Sequence, residues 1–383
     1  MKFLKRLLLF LAGFLLITYI LLLIFDATYL LRAVRIIYFN GHKTAFLDDY
    51  KYFDNVIIDN GTAQPWPISR NYNKQKLSER LAQVHRETNT VAFVVIKNDS
   101  LLHESYYEGY GPDSKSNAFS MAKSIVTAAL GKAILEGKIR SLDQPVSDFY
   151  PQFAKGSPSR MTVGDLSSMS SGLNWDENYY SPLSITTRAY FDENLDSLVL
   201  GLKGAEEPGR AFKYLSGNTQ LLAMVVQKAT QTPLNHYIAE KFWIPIGAEE
   251  PALWQTDREG GTVKAYCCIG SNARDFARFG KLFMDYGRWN GKQILDSAFV
   301  AKSIVPRFAD APQYGYGWWL FEQQGHKGFY MRGHLGQYTI VIPDLDLIIV
   351  RLGRHHIRSK TDDPHSEDFR TIVREVLKMV SKD

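Results

Sequence analysis

The chain is poor in cysteine. Its 383 residues include only two, Cys267 and Cys268, and these are adjacent. Neighbouring cysteines rarely meet the geometry of an ordinary disulfide. The sequence therefore excludes a disulfide-stapled fold, and both residues are expected as small apolar groups in a core strand. No His or Cys set has the spacing of metal ligands; His355 and His356 stand together without a partner set, so no metal site is expected. Charge of one sign is scarce too. The net charge is +5 and no basic run is interleaved with aromatics, which argues against nucleic acid as a partner. A Gly-x-Ser-x-Gly elbow is missing, and with it the strand–serine–helix turn on which an α/β-hydrolase builds its Ser-His-Asp triad. Internal repeats and low-complexity segments are also absent.

What is present describes an ordinary globular chain with one addition. Hydrophobic residues make up 45% and charged residues 22% of the sequence, enough for one large domain or two intergrown ones. The 13% of aromatics suits a large core and an aromatic-lined cleft. The addition is at the N-terminus. Lys2, Lys5 and Arg6 precede an apolar run of 19 residues, Leu7 to Phe25. That approaches the roughly 20 residues needed to cross a bilayer. It exceeds the apolar core of a secretory signal peptide, and no small-residue cleavage site follows. An uncleaved signal anchor is expected, single-pass in the cell inner membrane. The basic end would lie in the cytoplasm and the globular part on the extracytoplasmic, periplasmic side. Residues 29–39 form a short amphipathic stretch suited to a membrane surface.

Residues 40–75 carry turn signals at Asn60-Gly61, Pro65 and Pro67 and read as a connector wrapped on the surface. A helix is expected over Lys76–Thr88, then strands Val91–Lys97 and Leu101–Tyr107 joined by a tight Asn98-Asp99-Ser100 hairpin. A buried helix follows from Ser120 to Glu136. Residues 140–260 read as mainly helical, with Thr162 as an N-cap, a stop at Gly172 and a helix over Asn218–Gln231. An amphipathic helix is expected over Arg274–Gly287. Strands return at Gly315–Phe321, Gly328–Arg332, Gln337–Ile342 and Leu345–Leu352, and a helix from Ser366 to Met379 closes the chain. The fold class is thus α/β in the α+β sense. One antiparallel sheet is built from both chain ends and flanked by helices, with an inserted helical region and a cleft between the two. The expected domains are residues 1–28 as anchor, 29–75 as juxtamembrane connector and 76–383 as the globular domain.

Three segments carry chemistry. In Ser120-Met121-Ala122-Lys123 the helical spacing puts Oγ and Nζ on one face. A lysine in a partly dry site loses its proton readily, and a neutral lysine can take the serine's proton. The Ser120 N–H, at a helix start, is available to a developing oxyanion. Pro208-Gly209 leads through Tyr214 to Ser216 and Asn218, placing the Tyr214 hydroxyl on a loop before a helix. A tyrosine near a lysine cation is expected to have a lowered pKa and to shuttle a proton. Gly333-His334-Leu335-Gly336-Gln337-Tyr338 opens a late strand, where the Gln337 N–H can serve as a second oxyanion donor.

Ser-x-x-Lys, Pro-Gly-x4-Tyr-x-Ser and His-x-Gly, in this order, resemble the penicillin-recognising serine hydrolases. These are the class C β-lactamases, the DD-peptidases or penicillin-binding proteins, and the related esterases. Thr162–Leu173 and Ala265–Gly280 look like further passages of that family, so the resemblance covers roughly residues 75–380. The chain is most similar to the 6-aminohexanoate-oligomer hydrolase and esterase branch, where Tyr-x-Ser-x-Asn-Thr also occurs. The resemblance implies a β-lactamase/transpeptidase-like fold and acyl transfer to water through an acyl-enzyme, with no cofactor and no metal. By this likeness Ser120 is the nucleophile, Lys123 its base, Tyr214 the acid and base for the leaving group and water, and Ser120 and Gln337 the oxyanion hole. His334 and Gly336 take the place of the Lys-Thr-Gly strand, and Ser216 and Asn218 face the substrate. Trp175 and Asp176, with Glu177 and Asn178 beside them, are candidates for the cleft mouth.

Two departures bear on the substrate. Ser216 stands where many relatives have asparagine, and His334 where they have lysine. A histidine is mostly neutral at pH 7, so a substrate carboxylate loses a fixed positive partner. Small amides or esters are therefore the expected substrates. D-alanyl peptidase or transferase action, β-lactamase action and a catalytically silent binding protein are the alternatives.

Overall fold

The computed structural model describes residues 1–381. The chain opens with helix α1 (Lys2–Ile24), none of whose side chains is buried. Its most apolar 18 residues have a mean hydropathy of 2.9, and 23 residues at about 1.5 Å each reach about 34 Å. It is the one helix among the described residues long and apolar enough to cross a membrane. A short amphipathic helix, α2 (Tyr29–Ile36), follows at once and buries Tyr29, Ala33 and Ile36.

Strand β1 (Asn55–Ile58) and helix α3 (Glu79–Glu87) come next, then β2 (Thr90–Lys97), β3 (Ser100–Tyr106) and β4 (Ser116–Asn117). Helix α4 (Ala122–Leu135) leads into α5 (Val163–Ser167), α6 (Ile185–Phe191), α7 (Leu195–Leu200), α8 (Ser216–Thr230) and α9 (Leu234–Ile238). The remainder is β5 (Ala252–Gln255), β6 (Ile269–Ser271), α10 (Ala273–Met284), β7 (Arg288–Trp289), β8 (Lys292–Gln293), α11 (Ser297–Ser303), β9 (Trp319–Gln323), β10 (His326–Gly333), β11 (Gln337–Ile342), β12 (Leu347–Gly353) and α12 (Glu367–Val380).

The main sheet is antiparallel, ordered β3-β2-β12-β11-β10-β9, and joins both chain ends through β2 and β12. Alternation of side chains decides its faces. Phe93, Val95, Ile340 and Ile349 point toward α3 and α12, where Leu81, Val84, Phe369, Ile372 and Val376 meet them. Val94, Ile96, Val341, Ile348 and Val350 point into the larger core, where Phe276 and Phe279 of α10 lie. With both faces covered, β2 reads as an unbroken apolar run. The β2–β3 hairpin turns at Asn98 and Asp99, both with positive φ, as a two-residue turn matched to strand twist requires.

Helix α4 is the centre of the molecule. Ile125, Val126, Ala128, Ala129, Leu130 and Ala133 are all buried, and so are the polar Lys123, Ser124 and Thr127, so core surrounds most of its circumference. It begins at Ala122, later than the expected Ser120, because Phe119–Met121 form a 3₁₀ turn in front of it. Thr162 caps α5 in a reciprocal capping box with Asp165.

Two features differ from the sequence reading. Cys267 and Cys268 are bonded to each other just ahead of β6, whereas separate core thiols were expected. A bridge between neighbours closes no loop, so the fold is still held by its core. The connector is also more than a surface wrapping. Its Asn55–Ile58 pair with Ala252–Gln255 in a second, four-stranded sheet ordered β1-β5-β6-β4, and Leu47, Asp49, Phe53 and Ile58 are buried.

Asp49 links that connector to the turn before α4. Fully buried, its carboxylate accepts hydrogen bonds from Tyr190 Oη (2.6 Å), Asn117 Nδ2 (2.8 Å) and Gln255 Nε2 (3.0 Å). Asn117 Oδ1 in turn accepts the Phe119 N–H at 2.9 Å. Replacing Asp49 by alanine would strand these three side-chain donors and the Phe46 N–H, which also bonds the carboxylate. We expect a stability loss of about 3 kcal/mol or more, read by denaturant unfolding, with a proportionate loss of activity. A melt within 1 °C of wild type would show that Asp49 does not support this turn.

Candidate active site

Ser120 sits in the 3₁₀ turn between β4 and α4. Phe119, immediately before it, has φ +48°, a conformation costly for a bulky residue and held by the Asn117 contact. The far end of β10 approaches the same turn. A Cβ placed on Gly333 would lie 2.2 Å from Ala118 O, so only glycine lets the strand pass this close. The 3₁₀ turn and the strand end thus form one wall of a cleft, with Ser120 in it.

Lys123 lies on the first turn of α4, 2% exposed. Its Nζ donates to Ser120 Oγ at 3.0 Å, to Ser216 Oγ at 3.1 Å and to Tyr266 O at 2.8 Å. Burial lowers its pKa to about 8, against the opposing pull of the Glu177 carboxylate. A sizeable fraction of Lys123 is therefore neutral at mildly alkaline pH, as a base for Ser120 requires.

Tyr214 faces Ser120 from the loop before α8. The Lys123 Nζ is 5.1 Å from its ring centroid. Its pKa is raised, through burial first and the Glu177 carboxylate second, and only in part offset by a hydrogen bond with Ser120. The lowered value expected from the nearby lysine is thus corrected: desolvation and the Glu177 carboxylate outweigh Ser120 and Arg332, which pull the other way. Tyr214 stays protonated, a donor rather than a resting base.

Ser216 does something the sequence did not suggest. Its Oγ accepts from Lys123 and donates to Glu177 Oε1 at 2.6 Å, while its N–H donates to Glu177 Oε2 at 2.6 Å. Glu177 thereby sits on the N-terminus of α8, where a negative charge is favoured. It also accepts from Tyr179 Oη. Ser216 is thus a bridge between Lys123 and a carboxylate.

His334 stacks on Tyr179 (centroids 5.5 Å apart) and meets Phe119 edge-on at 5.5 Å. Burial, then His356 and Arg358, lower its pKa to about 4, so its ring is neutral at pH 7. Gly336 borders the cleft in a positive-φ turn. Gln337 does not. It is fully buried opposite Gly333 in the β10–β11 ladder, and its side chain bonds His334 O and Gly353. The cavity at Ser120 is bordered on this side by Arg332, Gly333, His334 and Leu335 as well as Gly336.

Other expected substrate contacts also lie away from the cleft. Asn218 is fully buried and accepts from Ser171 Oγ at 2.6 Å. Trp175 is buried too. Its Nε1 donates to Thr186 Oγ1 at 2.9 Å and its ring covers α8 so closely that a Cβ on Gly217 would lie 2.4 Å from it. Asp176 is exposed, with its carbonyl taking the Thr186 hydroxyl. Trp175 and Asp176 brace the loop that carries Glu177, and Asn218 holds Ser171.

Two cavities meet at Ser120, and Tyr179, Tyr180 and His334 border both. One, of about 350 Å³, is walled by Leu30, Ala33, Val34 and Ile37 on the α2 side. The other, of about 330 Å³, holds Tyr214, Glu177, Trp319, Arg332 and Arg358. Arg332 lies over the Trp319 ring at 4.7 Å. The sequence reading left no fixed cation near the substrate; the structure supplies Arg332 from β10. No group of His, Cys, Asp and Glu among the described residues is arranged to hold a metal ion.

A sheet drawn from both chain ends and an inserted helical region, with a serine and a buried lysine in hydrogen-bond contact between them, make the frame of a serine hydrolase. The chain belongs to the β-lactamase family, whose profile matches residues 74–364. It is 26% identical over 327 residues to the 6-aminohexanoate-dimer hydrolase of Paenarthrobacter ureafaciens, covering 79% of this chain and 80% of that one. Among solved structures, a Bacillus anthracis protein assigned by name to the 6-aminohexanoate-dimer hydrolases superposes with a TM-score of 0.69. The two are 22% identical, over 86% of this chain and 91% of that one. A D-stereospecific amidohydrolase from a Streptomyces species superposes with a TM-score of 0.59 at 16% identity, over 77% and 97%. At these identities the structural likeness shows the fold.

Proposed function

We propose that the protein is a membrane-anchored serine hydrolase that cleaves amide or ester bonds of small substrates through an acyl-enzyme. Residues 1–28 would be the anchor, residues 29–75 the connector and residues 76–383 the hydrolase domain, on the periplasmic face of the inner membrane. The supporting observation is the 3.0 Å approach of Lys123 Nζ to Ser120 Oγ. Ser120 Oγ attacks the substrate carbonyl carbon as its proton passes to neutral Lys123. The developing oxyanion takes hydrogen bonds from the Ser120 N–H and an N–H at the end of β10. The bond to the leaving group breaks as Tyr214 Oη gives up its proton to that group. The proton that Lys123 took from Ser120 passes by way of water in the cleft to the Tyr214 oxygen, so that Lys123 is neutral and Tyr214 protonated again. Water then attacks the acyl carbonyl, its proton taken by the same pair, and the acid leaves with Ser120 restored.

The test is intact mass of the full-length chain in detergent after exposure to a fluorophosphonate. One adduct is expected on the wild type and none on Ser120→Ala. A folded wild type that takes no adduct would favour a binding protein that keeps the fold without the chemistry. D-alanyl peptidase action is the second reading, favoured by Arg332 as a partner for a terminal carboxylate; release of D-alanine from a peptide ending in D-alanyl-D-alanine would establish it.

The pH dependence follows from the same groups. Lys123 must be neutral to accept a proton, so kcat/KM should rise with pH through about 8 and level off above it. Tyr214, raised by burial, keeps its proton across this range. No descending limb is expected below pH 10. An ascending limb centred near 6.5 would instead assign the base to a histidine.

A further inference from the structure

We infer that the substrate is an amphiphile taken from the bilayer: an ester or amide whose apolar acyl chain fills the α2-walled cavity and whose leaving group carries negative charge toward Arg332. The inference rests on the acyl-transfer chemistry proposed at Ser120 and on α1 as a membrane span. Tyr214 fixes the orientation. As donor to the leaving group, it lines only the cavity that holds Arg332 and Arg358. The leaving group therefore lies there, and the acyl part lies in the other cavity. That second cavity is lined mostly by apolar groups from α2 and from Tyr180, Pro182 and Phe191, and its volume of about 350 Å³ falls in the range of ligand pockets.

Its position points to the source. Helix α2 begins at Tyr29, just past the end of α1 at Ile24, so the wall of the cavity stands at the membrane surface. Tyr29 Oη donates to Pro182 O at 3.0 Å, which holds the 179–187 segment against α2. Around this junction Leu31, Phe39, Tyr180 and Leu183 are 47%, 80%, 65% and 73% exposed. Apolar side chains left open beside a spanning helix suit the headgroup–acyl boundary. A small, water-borne substrate needs neither this collar nor an apolar cavity behind it.

The experiment uses the full-length chain in phosphatidylcholine vesicles with 4-nitrophenyl esters. The ratio of kcat/KM for decanoate over acetate is expected to reach about a hundredfold, as buried methylenes add to binding. Val34→Trp, at the cavity rim, should cut that ratio about tenfold or more. A 3-carboxy-4-nitrophenyl decanoate should be preferred over its neutral counterpart by about tenfold, and Arg332→Gln should erase that preference. A decanoate-to-acetate ratio near one, in wild type whose Ser120 takes the fluorophosphonate, overturns the inference and leaves the hydrolase standing. Failure of Ser120 to take the adduct overturns the hydrolase itself. 4-Nitrophenyl palmitate should be cleaved faster in the protein's own vesicles than from a separate vesicle population. Equal initial rates would assign the cavity to a water-borne amphiphile and overturn the bilayer source.

Discussion

Replacing Ser120 by alanine should lower kcat/KM for any ester or amide substrate by about 10⁴-fold or more, while the protein melts within a few degrees of wild type. The size follows from what the hydroxyl does. In the proposed mechanism it is the attacking atom, and both proton-handling groups are arranged around it, with Lys123 Nζ at 3.0 Å and Tyr214 in the same cavity. The small structural cost follows from what remains. Lys123 keeps its contacts to Ser216 Oγ and Tyr266 O, and Phe119 keeps its hold on Asn117. Losing one hydrogen-bonding hydroxyl costs about 1 kcal/mol. His334→Ala supplies the control. Its ring is neutral and wedged between Tyr179 and Phe119, so its loss should weaken substrate binding and leave slow acylation. If His334→Ala proved as inactive as Ser120→Ala, a histidine-based mechanism would replace the one proposed.

The parts of this molecule that were legible in the sequence are those set by local pattern. The strands of the main sheet showed as apolar runs between turn signals, and Gln337–Ile342 was found at its observed ends. Ser120 and Lys123 are three residues apart, so helix geometry alone brings them together. The second sheet was hidden because its strands run only two to four residues and pair Asn55 with Gln255 across the whole chain. No periodicity exists at that length. Glu177 was a candidate for the cleft mouth, but its bond to Ser216 was hidden for a similar reason. It reaches Ser216 only because Trp175 and Thr186 close its loop, and such closure leaves no mark in spacing. Arg332 left no mark in the motif, because His334, two positions on, takes the place of the family's lysine. The residue two places earlier, on β10, brings the positive charge to the cleft.

Lys123→Ala should reduce kcat/KM by about 10²- to 10⁴-fold, the usual contribution of a general base, and should slow fluorophosphonate labelling in step. Lys123→Arg separates the two things a lysine can do here. Arginine keeps the positive charge but holds its proton at every working pH. If Lys123 serves as a base, the arginine variant is as impaired as the alanine variant, and the limb near pH 8 vanishes from both. If Lys123 serves only as a charge, the arginine variant retains activity within about tenfold of wild type. The surroundings favour the base. Nζ is enclosed by Ser120, Ser216 and a backbone carbonyl, and burial outweighs Glu177 in setting its pKa to about 8. Glu177 reaches it only through the Ser216 hydroxyl. Its Oε atoms are committed to the start of α8, so it holds the lysine in place without pairing with it. A direct ion pair would have kept Lys123 charged. In the proposed mechanism the interposed serine lets the proton leave, which would give the Ser216 position a purpose in acylation beyond contact with substrate.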